Sequence, residues 1–242
     1  MLDYIALTIG GIIIGFIGVT LGGSMFIAIP FLQILFPGLN YGQTIGNIKV
    51  GSFARSLAST LSTWKKIQFK EIATFIPPFI IGSIIGSASI AKLDQKYLIV
   101  AVISAIVLSE LSPYLAKFIN KKTRFIASII LGIYTGFIGA GISILLVALL
   151  RTIFPKNEQI IFVKIQARFI EATGTIAAII THIYYGNIVF PIWLLWSIGT
   201  FTGGYIGGTV LKNTIKIKSK YQRIYLIAVY VIAITPLVIK LL

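Results

Sequence analysis

The stretch Gly15-Phe16-Ile17-Gly18-Val19-Thr20-Leu21-Gly22-Gly23-Ser24 interrupts an apolar run, Tyr4–Phe36. The string Gly-Phe-Ile-Gly returns 121 residues later as Gly136-Phe137-Ile138-Gly139, followed by Gly141-Ile142-Ser143, inside a second long run, Phe125–Phe154. At 1.5 Å per residue each run makes a rod of roughly 45–50 Å, too long for a hydrocarbon core of about 30 Å. Both runs are broken by glycine near their middles. A segment that dips into a bilayer and returns as two half-helices, joined at the glycines, accommodates both observations.

Working outward, the remaining apolar segments are Gln43–Trp64, Phe69–Ala91, Tyr97–Ile119, Gln159–Ile183, Val189–Leu211 and Tyr221–Leu242. Most are close to the ~20 residues that a spanning helix needs. The chain of 242 residues is 57% hydrophobic and 11% charged, whereas a soluble domain carries about a quarter charged residues. Short linkers between the segments leave no room for a soluble domain, so the chain reads as a single membrane domain over 1–242. The stretch Met1–Gly10 has no basic leader, so the first segment is expected to be retained rather than cleaved.

The glycine strings belong to a wider internal repeat. An offset of 121 maps Gly82 and Gly86 onto Gly203 and Gly207, and Lys66-Ile67-Gln68-Phe69 onto Asn187-Ile188-Val189-Phe190. Phe36-Pro37 recurs as Phe154-Pro155, and Ser112-Pro113 as Thr235-Pro236. Common order and spacing point to duplication, with repeat 1 over 1–121 and repeat 2 over 122–242.

Loop charges select the topology. With eight ordinary spans the loop and terminal Lys and Arg divide eight to nine, which is no bias. With two re-entrant hairpins and six spans they divide fourteen to three, only Lys92, Lys96 and Lys240 falling on the poorer side. That asymmetry is the one the positive-inside rule requires. The expected fold is therefore all-α and integral to the membrane: two inverted repeats, each a re-entrant helical hairpin plus three transmembrane helices, eight hydrophobic segments in all. A multi-pass protein of the cell membrane follows, with both termini extracytoplasmic. Trp64, Trp193, Trp196, Tyr184 and Tyr185 lie near segment ends, where amphipathic rings favour the interface. Small residues four apart, such as Gly82/Gly86 and Gly199/Gly203/Gly207, favour close helix packing.

Composition also excludes. The chain has no cysteine and one histidine, so thiolate chemistry and a clustered metal site are not expected. The net charge of +15 sits in short loops beside apolar segments, so nucleic acid is not an expected partner. No P-loop, dinucleotide motif or nucleophile–base pair stands out, so neither an enzyme nor a cofactor is expected. His182 is near a segment end and reads as interfacial.

What remains is an anion site. A hairpin tip presents a helix N-terminus, whose free N–H groups and positive dipole end attract an anion without side chains. Gly22, Gly23 and Ser24 form one tip, and Gly141 and Ser143 belong to the other. Lys49 and Arg55 lie in one predicted span, Lys164 and Arg168 in another. Lys49, Ser52, Ser56, Ser59 and Thr63 step by three and four along one helix face, as do Lys164, Arg168, Glu171 and Thr175. A charge at mid-bilayer costs on the order of 3 kcal/mol on insertion scales, so both stripes should face one central cavity. Lys49 and Lys164 either face that cavity or snorkel to the interface. Arg55 has no acid near it in sequence and is the foremost anion ligand. Arg168 either joins it or pairs with Glu171 one turn on. Glu110 and Glu171 are candidates for coupling or ion pairing, and Asn47 and Gln166 add polar reach near the tips.

On these residues the chain resembles the TauE/SafE sulfite-exporter family, also known as the 4-toluene sulfonate uptake permease family. The resemblance runs from Gly15-Phe16-Ile17-Gly18 through Gly22-Gly23-Ser24 and Pro30, Gly46-Asn47, Trp64-Lys65-Lys66 and Gly82–Gly86, and then through the second copy. It implies a permease for sulfite, thiosulfate, an organosulfonate or a related anion, with the hairpin positions at Gly22, Gly23, Ser24, Gly141 and Ser143. The second tip departs from the family's run of glycines, reading Gly139-Ala140-Gly141-Ile142. The expected partners are a small anionic substrate and the lipid bilayer. Carrier or anion channel, import or export, a homo-oligomer or a monomer, and a non-transporting membrane scaffold or assembly protein all stay open at this point.

Overall fold

The first apolar run folds back on itself. In the computed structural model, which describes residues 2–61, 63–91, 98–154 and 160–212 together with Ala228 and Val231, it forms α1 (Leu2–Thr20) and α2 (Ser24–Leu35). Gly22 and Gly23 between them take φ of 87° and 72°, the left-handed region that only glycine enters freely. The two helices run side by side in opposite directions. The Tyr4 and Phe36 rings stand 5.7 Å apart, and Gly10 lies beneath the Phe31 ring. The second run behaves likewise, as α7 (Arg124–Phe137) and α8 (Ile142–Leu150), with positive φ at Gly139 and Gly141.

The other predicted segments are helical too. They are α3 (Tyr41–Leu61), a short α4 (Phe69–Ile72) that leads into α5 (Ile76–Ala91), α6 (Leu98–Leu115), α9 (Ile160–Tyr184) and α10 (Ile192–Lys212). The segment Tyr221–Leu242 lies outside the described residues, apart from Ala228 and Val231. No strand occurs among the described residues. Local chemistry sets the ends. Asn40 and Gln43 exchange side-chain to backbone hydrogen bonds of 2.8 and 3.1 Å at the start of α3, an amide version of the capping box. Pro77 and Pro78 occupy the first turn of α5, where a missing N–H costs nothing.

Two described helices, Leu2–Thr20 and Phe69–Ala91, are long and apolar enough by length and composition to cross a membrane. The burial pattern of the bundle agrees with lipid as its surroundings. Isoleucines 5, 9 and 13 of α1, 81, 84 and 85 of α5, and 176, 180 and 183 of α9 face outward, while Asn47, Lys49, Ser56, Ser83, Gln166 and Thr200 are buried.

Glycine sets which helices meet. Gly11 and Gly15 of α1 abut Gly199 and Thr200 of α10, and Gly132 and Gly136 of α7 abut Phe79, Gly82 and Ser83 of α5. The two contacts correspond residue by residue. Gly86 meets the backbone of Ile133 and Phe137, and Gly203 meets that of Ile12 and Phe16. Gly82 meets Ile129 and Gly132, and Gly199 meets Thr8 and Gly11. The spatial counterparts of Gly82 and Gly86 are thus Gly199 and Gly203, one helical turn before the Gly203 and Gly207 expected from a uniform offset of 121. In these contacts the α1 and α7 residues differ by 121 in number, the offset read in the sequence, and the α5 and α10 residues by 117, one helical turn less, in helices where glycines recur every four residues.

Two of these helices, α5 and α10, are also tied to the central pair, α9 and α3. Ser83 Oγ donates to Gly174 O at 2.6 Å, and Thr200 Oγ1 to Gly51 O at 2.9 Å. Gly51 lies against Trp196 and Gly174 against Phe79. Trp196 is consequently 1% exposed and does not sit at an interface as its place near a segment end suggested. Its ring fills the gap that Gly51 leaves.

Candidate functional site

Both glycine tips end at one polar cavity between α3 and α9. Gly23 and Gly141 are the N-caps of α2 and α8 with nearly the same geometry, φ 72°, ψ 6° and φ 75°, ψ 4°. No side chain caps either helix, so the backbone N–H groups of each first turn face the cavity end of the helix. The correspondence of caps sets Ser24 opposite Ile142, not opposite Ser143. Ile142 is buried, so only the first tip offers a hydroxyl at that position.

A hairpin tip also brings a helix C-terminus into the same space, with unpaired carbonyls and a negative dipole end. Two cations of the central helices answer this need. Lys49 Nζ donates to the carbonyls of Thr135 and, at 3.1 Å, Ile138, at the end of α7. Arg168 Nη2 donates to the carbonyl of Val19 at the end of α1. Each cation therefore closes the first half-helix of the other hairpin. Lys49 is 3% exposed and does not snorkel.

Arg55 is engaged differently. Its Nη1 donates to Ser24 Oγ at the start of α2, and its Nη2 stands 3.9 Å from Glu171 Oε1. Glu171 thus pairs across the cavity with Arg55 of α3, instead of with Arg168 one turn back on its own helix. The pair became visible only when α3 and α9 were packed together. Gly18 lies directly against the Arg55 guanidinium and Ser24, leaving no room for a Cβ. It is a residue of the site that the sequence presented only as part of a repeated glycine string.

Of the expected site residues, Gly22, Gly23, Ser24, Lys49, Ser52, Arg55, Gly141, Ser143, Arg168 and Glu171 line this cavity. Four others, Asn47, Gln166, Lys164 and Glu110, do not. Asn47 is buried on the far side of α3, where its Oδ1 accepts from Val189 N at 3.1 Å and its Nδ2 donates to Gln43 O. Gln166 makes the equivalent tie to the other turn, Oε1 accepting from Gln68 N at 3.0 Å and Nε2 donating to Lys66 O. Both amides thus hold turns, since a turn buried against a helix must satisfy its own backbone. Lys164 is exposed and borders a side pocket that shares Gly18, Val19, Gly22, Ser143 and Arg168 with the main cavity. Glu110 is exposed on α6 among Val107, Leu111 and Tyr114, away from the cavity. His182 is fully buried instead of interfacial, because the turn after α9 folds over it, with Asn187 N donating to its carbonyl at 2.8 Å. No cluster of three potential metal ligands occurs among the described residues.

The cavity measures about 40 Å³, room for roughly three water molecules. Larger hollows, of about 360 and 510 Å³, are apolar grooves on the outside of the bundle. The polar space is therefore small, internal, and lined by cations and two helix N-termini.

Comparison with protein families matches residues 7–235 to the family described as Sulfite exporter TauE/SafE. The chain belongs to the TauE/SafE family. Membership makes it a membrane transport protein for an anion, the family being one of transporters and not of enzymes. Neither the curated proteins nor the solved structures give a match. The TauE/SafE assignment spans both glycine tips, both charged central helices and most of the segment after α10.

Proposed function

We propose that the chain is a secondary carrier for a small sulfur oxyanion of sulfite or thiosulfate size, bound between Arg55 and the two hairpin tips and moved by alternating access. The observation that carries this reading is the convergence of two helix N-termini that no side chain caps, Ser24 and Arg55 on one internal polar cavity. N–H groups and a guanidinium match an oxyanion in charge and geometry. The cavity volume favours an anion of a few heavy atoms over an arylsulfonate.

In this reading repeats 1–121 and 122–242 are inverted with respect to each other, six segments span the cell membrane and two are re-entrant, and both termini are extracytoplasmic. The matched α1–α10 and α5–α7 contacts support it, since each repeat's hairpin packs on the other repeat's helix. So does the reciprocal capping by Lys49 and Arg168. Rocking of the two units about α3 and α9 would then expose the cavity to either side in turn.

Flux of sulfite, thiosulfate, methanesulfonate and toluenesulfonate into proteoliposomes tests the proposal. Saturable flux of the two inorganic anions is expected, with counterflow. Replacing Arg55 by Ala should lower kcat/KM by roughly ten- to hundredfold, since a hydrogen bond to a charged group contributes about 1.5–3 kcal/mol. No flux of any anion, or Arg55→Ala indistinguishable from the wild type, would overturn it.

A further inference from the structure

The cavity already contains one anion of its own. Glu171 projects from α9 to within 3.9 Å of Arg55, the guanidinium assigned above to the substrate. That separation is at the outer edge of an ion pair, and both side chains remain partly accessible, 12% and 16%. The pair is therefore loose and opens onto the cavity. A close, fully enclosed pair would be hard to part; this one is not.

The other charges around it are already engaged. Lys49 is held by the carbonyls of Thr135 and Ile138, and Arg168 by that of Val19. On the elements packed against α9, α5 and α8 carry no titratable side chain. On α7, Arg124 lies over the Phe75 ring and Tyr134 donates to the carbonyls of Ala105 and Ala140. His182 lies three turns further along α9. Among the described residues, Glu171 is thus the one acid facing Lys49, Arg55 and Arg168 in this cavity.

Resting on the anion-carrier reading above, we propose that Glu171 is an internal stand-in for the transported anion. With the cavity empty its carboxylate sits at Arg55; an arriving anion displaces it and takes that seat. An ionised carboxylate beside a bound anion, in a space of about 40 Å³, is a like-charge pair that one proton relieves. Binding of a monoanion therefore brings one proton onto a Glu171 oxygen, and the cavity keeps the same net charge. Release reverses both steps: the proton leaves and the carboxylate returns to Arg55. The stand-in lowers affinity and speeds release, and it ties anion movement to a proton.

The test is calorimetric titration of the purified full chain with methanesulfonate and with thiosulfate, neither of which titrates between about pH 5 and pH 8, in buffers of different ionisation enthalpy. The wild type is expected to take up about one proton for each methanesulfonate bound near neutral pH. Glu171→Gln is expected to bind about tenfold tighter, with no proton uptake, and in proteoliposomes to lower KM and kcat together. Glu171→Ala should behave in the same direction, so a folding failure in one variant leaves the other to decide. If both variants bind no tighter than the wild type, or proton uptake persists in them, the stand-in role is overturned. Loss of binding in Arg55→Ala would in that case leave the anion-site reading standing while the stand-in role falls. If the wild type binds neither probe, both readings fall together.

Discussion

Lys49, Arg55 and Arg168 carry the same charge into the same bundle, but they serve different groups. Lys49 and Arg168 hold backbone carbonyls and so belong to the scaffold, while Arg55, beside the Ser24 hydroxyl and the Glu171 carboxylate, is the cation proposed above to meet the anion. Replacing Lys49 by Met leaves the Thr135 and Ile138 carbonyls buried and unpaired. Stability should fall by about 1–3 kcal/mol, read as a lower midpoint of thermal unfolding in detergent, while flux in the surviving protein falls less than in Arg55→Ala. The opposite ranking would show that Lys49 is the anion's ligand. Gly18→Ala should do the reverse: its Cβ would collide with the Arg55 guanidinium and Ser24, moving the ligand out of place. Anion affinity should drop at least as far as with Ser24→Ala, with thermal stability the lesser change.

The unit that matters among the elements is the broken helix. A continuous helix would bury its backbone polarity along its whole length and offer an anion nothing. Breaking it at Gly22–Gly23 and at Gly139–Gly141 frees N–H groups for the cavity, and also carbonyls, which the central helices then cap. The helices that hold the hairpins in place do so through backbone contact. Gly86→Leu and Gly203→Leu should therefore impair folding to a similar degree, because the two glycines make corresponding contacts and neither neighbour backbone can retreat. Yield of monodisperse protein after detergent extraction measures this, and a severe loss in one with none in the other would break the correspondence. Ser83→Ala and Thr200→Val should each cost about 1 kcal/mol through the lost bond to Gly174 or Gly51.

For the molecule as a whole, the topology is the property most open to test. The turn containing Lys66 and Gln68 is tied to Gln166 near the start of α9, and the turn containing Asn187 and Val189 to Asn47 near the start of α3. The start of α3 and the start of α9 thus belong to opposite ends of the bundle, as inversion requires. The proposed topology puts Lys65, Lys66, Lys121 and Lys122 on the cytoplasmic side and both termini outside. Reporter fusions at the two termini should read extracytoplasmic, and a reporter placed after Asn120 cytoplasmic. A cytoplasmic reading at either terminus would remove the re-entrant topology.

How much of this was legible beforehand depends on the kind of physics involved. Helix content, the positions of the segments, the breaks at glycine and the membrane as solvent follow from local properties: hydropathy over ~20 residues, loop charge, and the conformational freedom of glycine. These are written into consecutive residues, and the match to the TauE/SafE family runs over residues 7–235. The residues facing one another across the cavity were legible only as two stripes, since periodicity places a side chain on a face without saying what that face meets. Asn47, Glu110 and Lys164 had the right chemistry and depth in sequence, yet packing turned the first toward a turn, the second outward and the third to a side pocket. The partner of Glu171, the one-turn slip between α5 and α10, and the capping of each hairpin by the opposite central helix were decided by tertiary structure alone. Each depends on contact between segments distant in the chain, where a backbone must satisfy its polar groups against whatever neighbour the fold supplies.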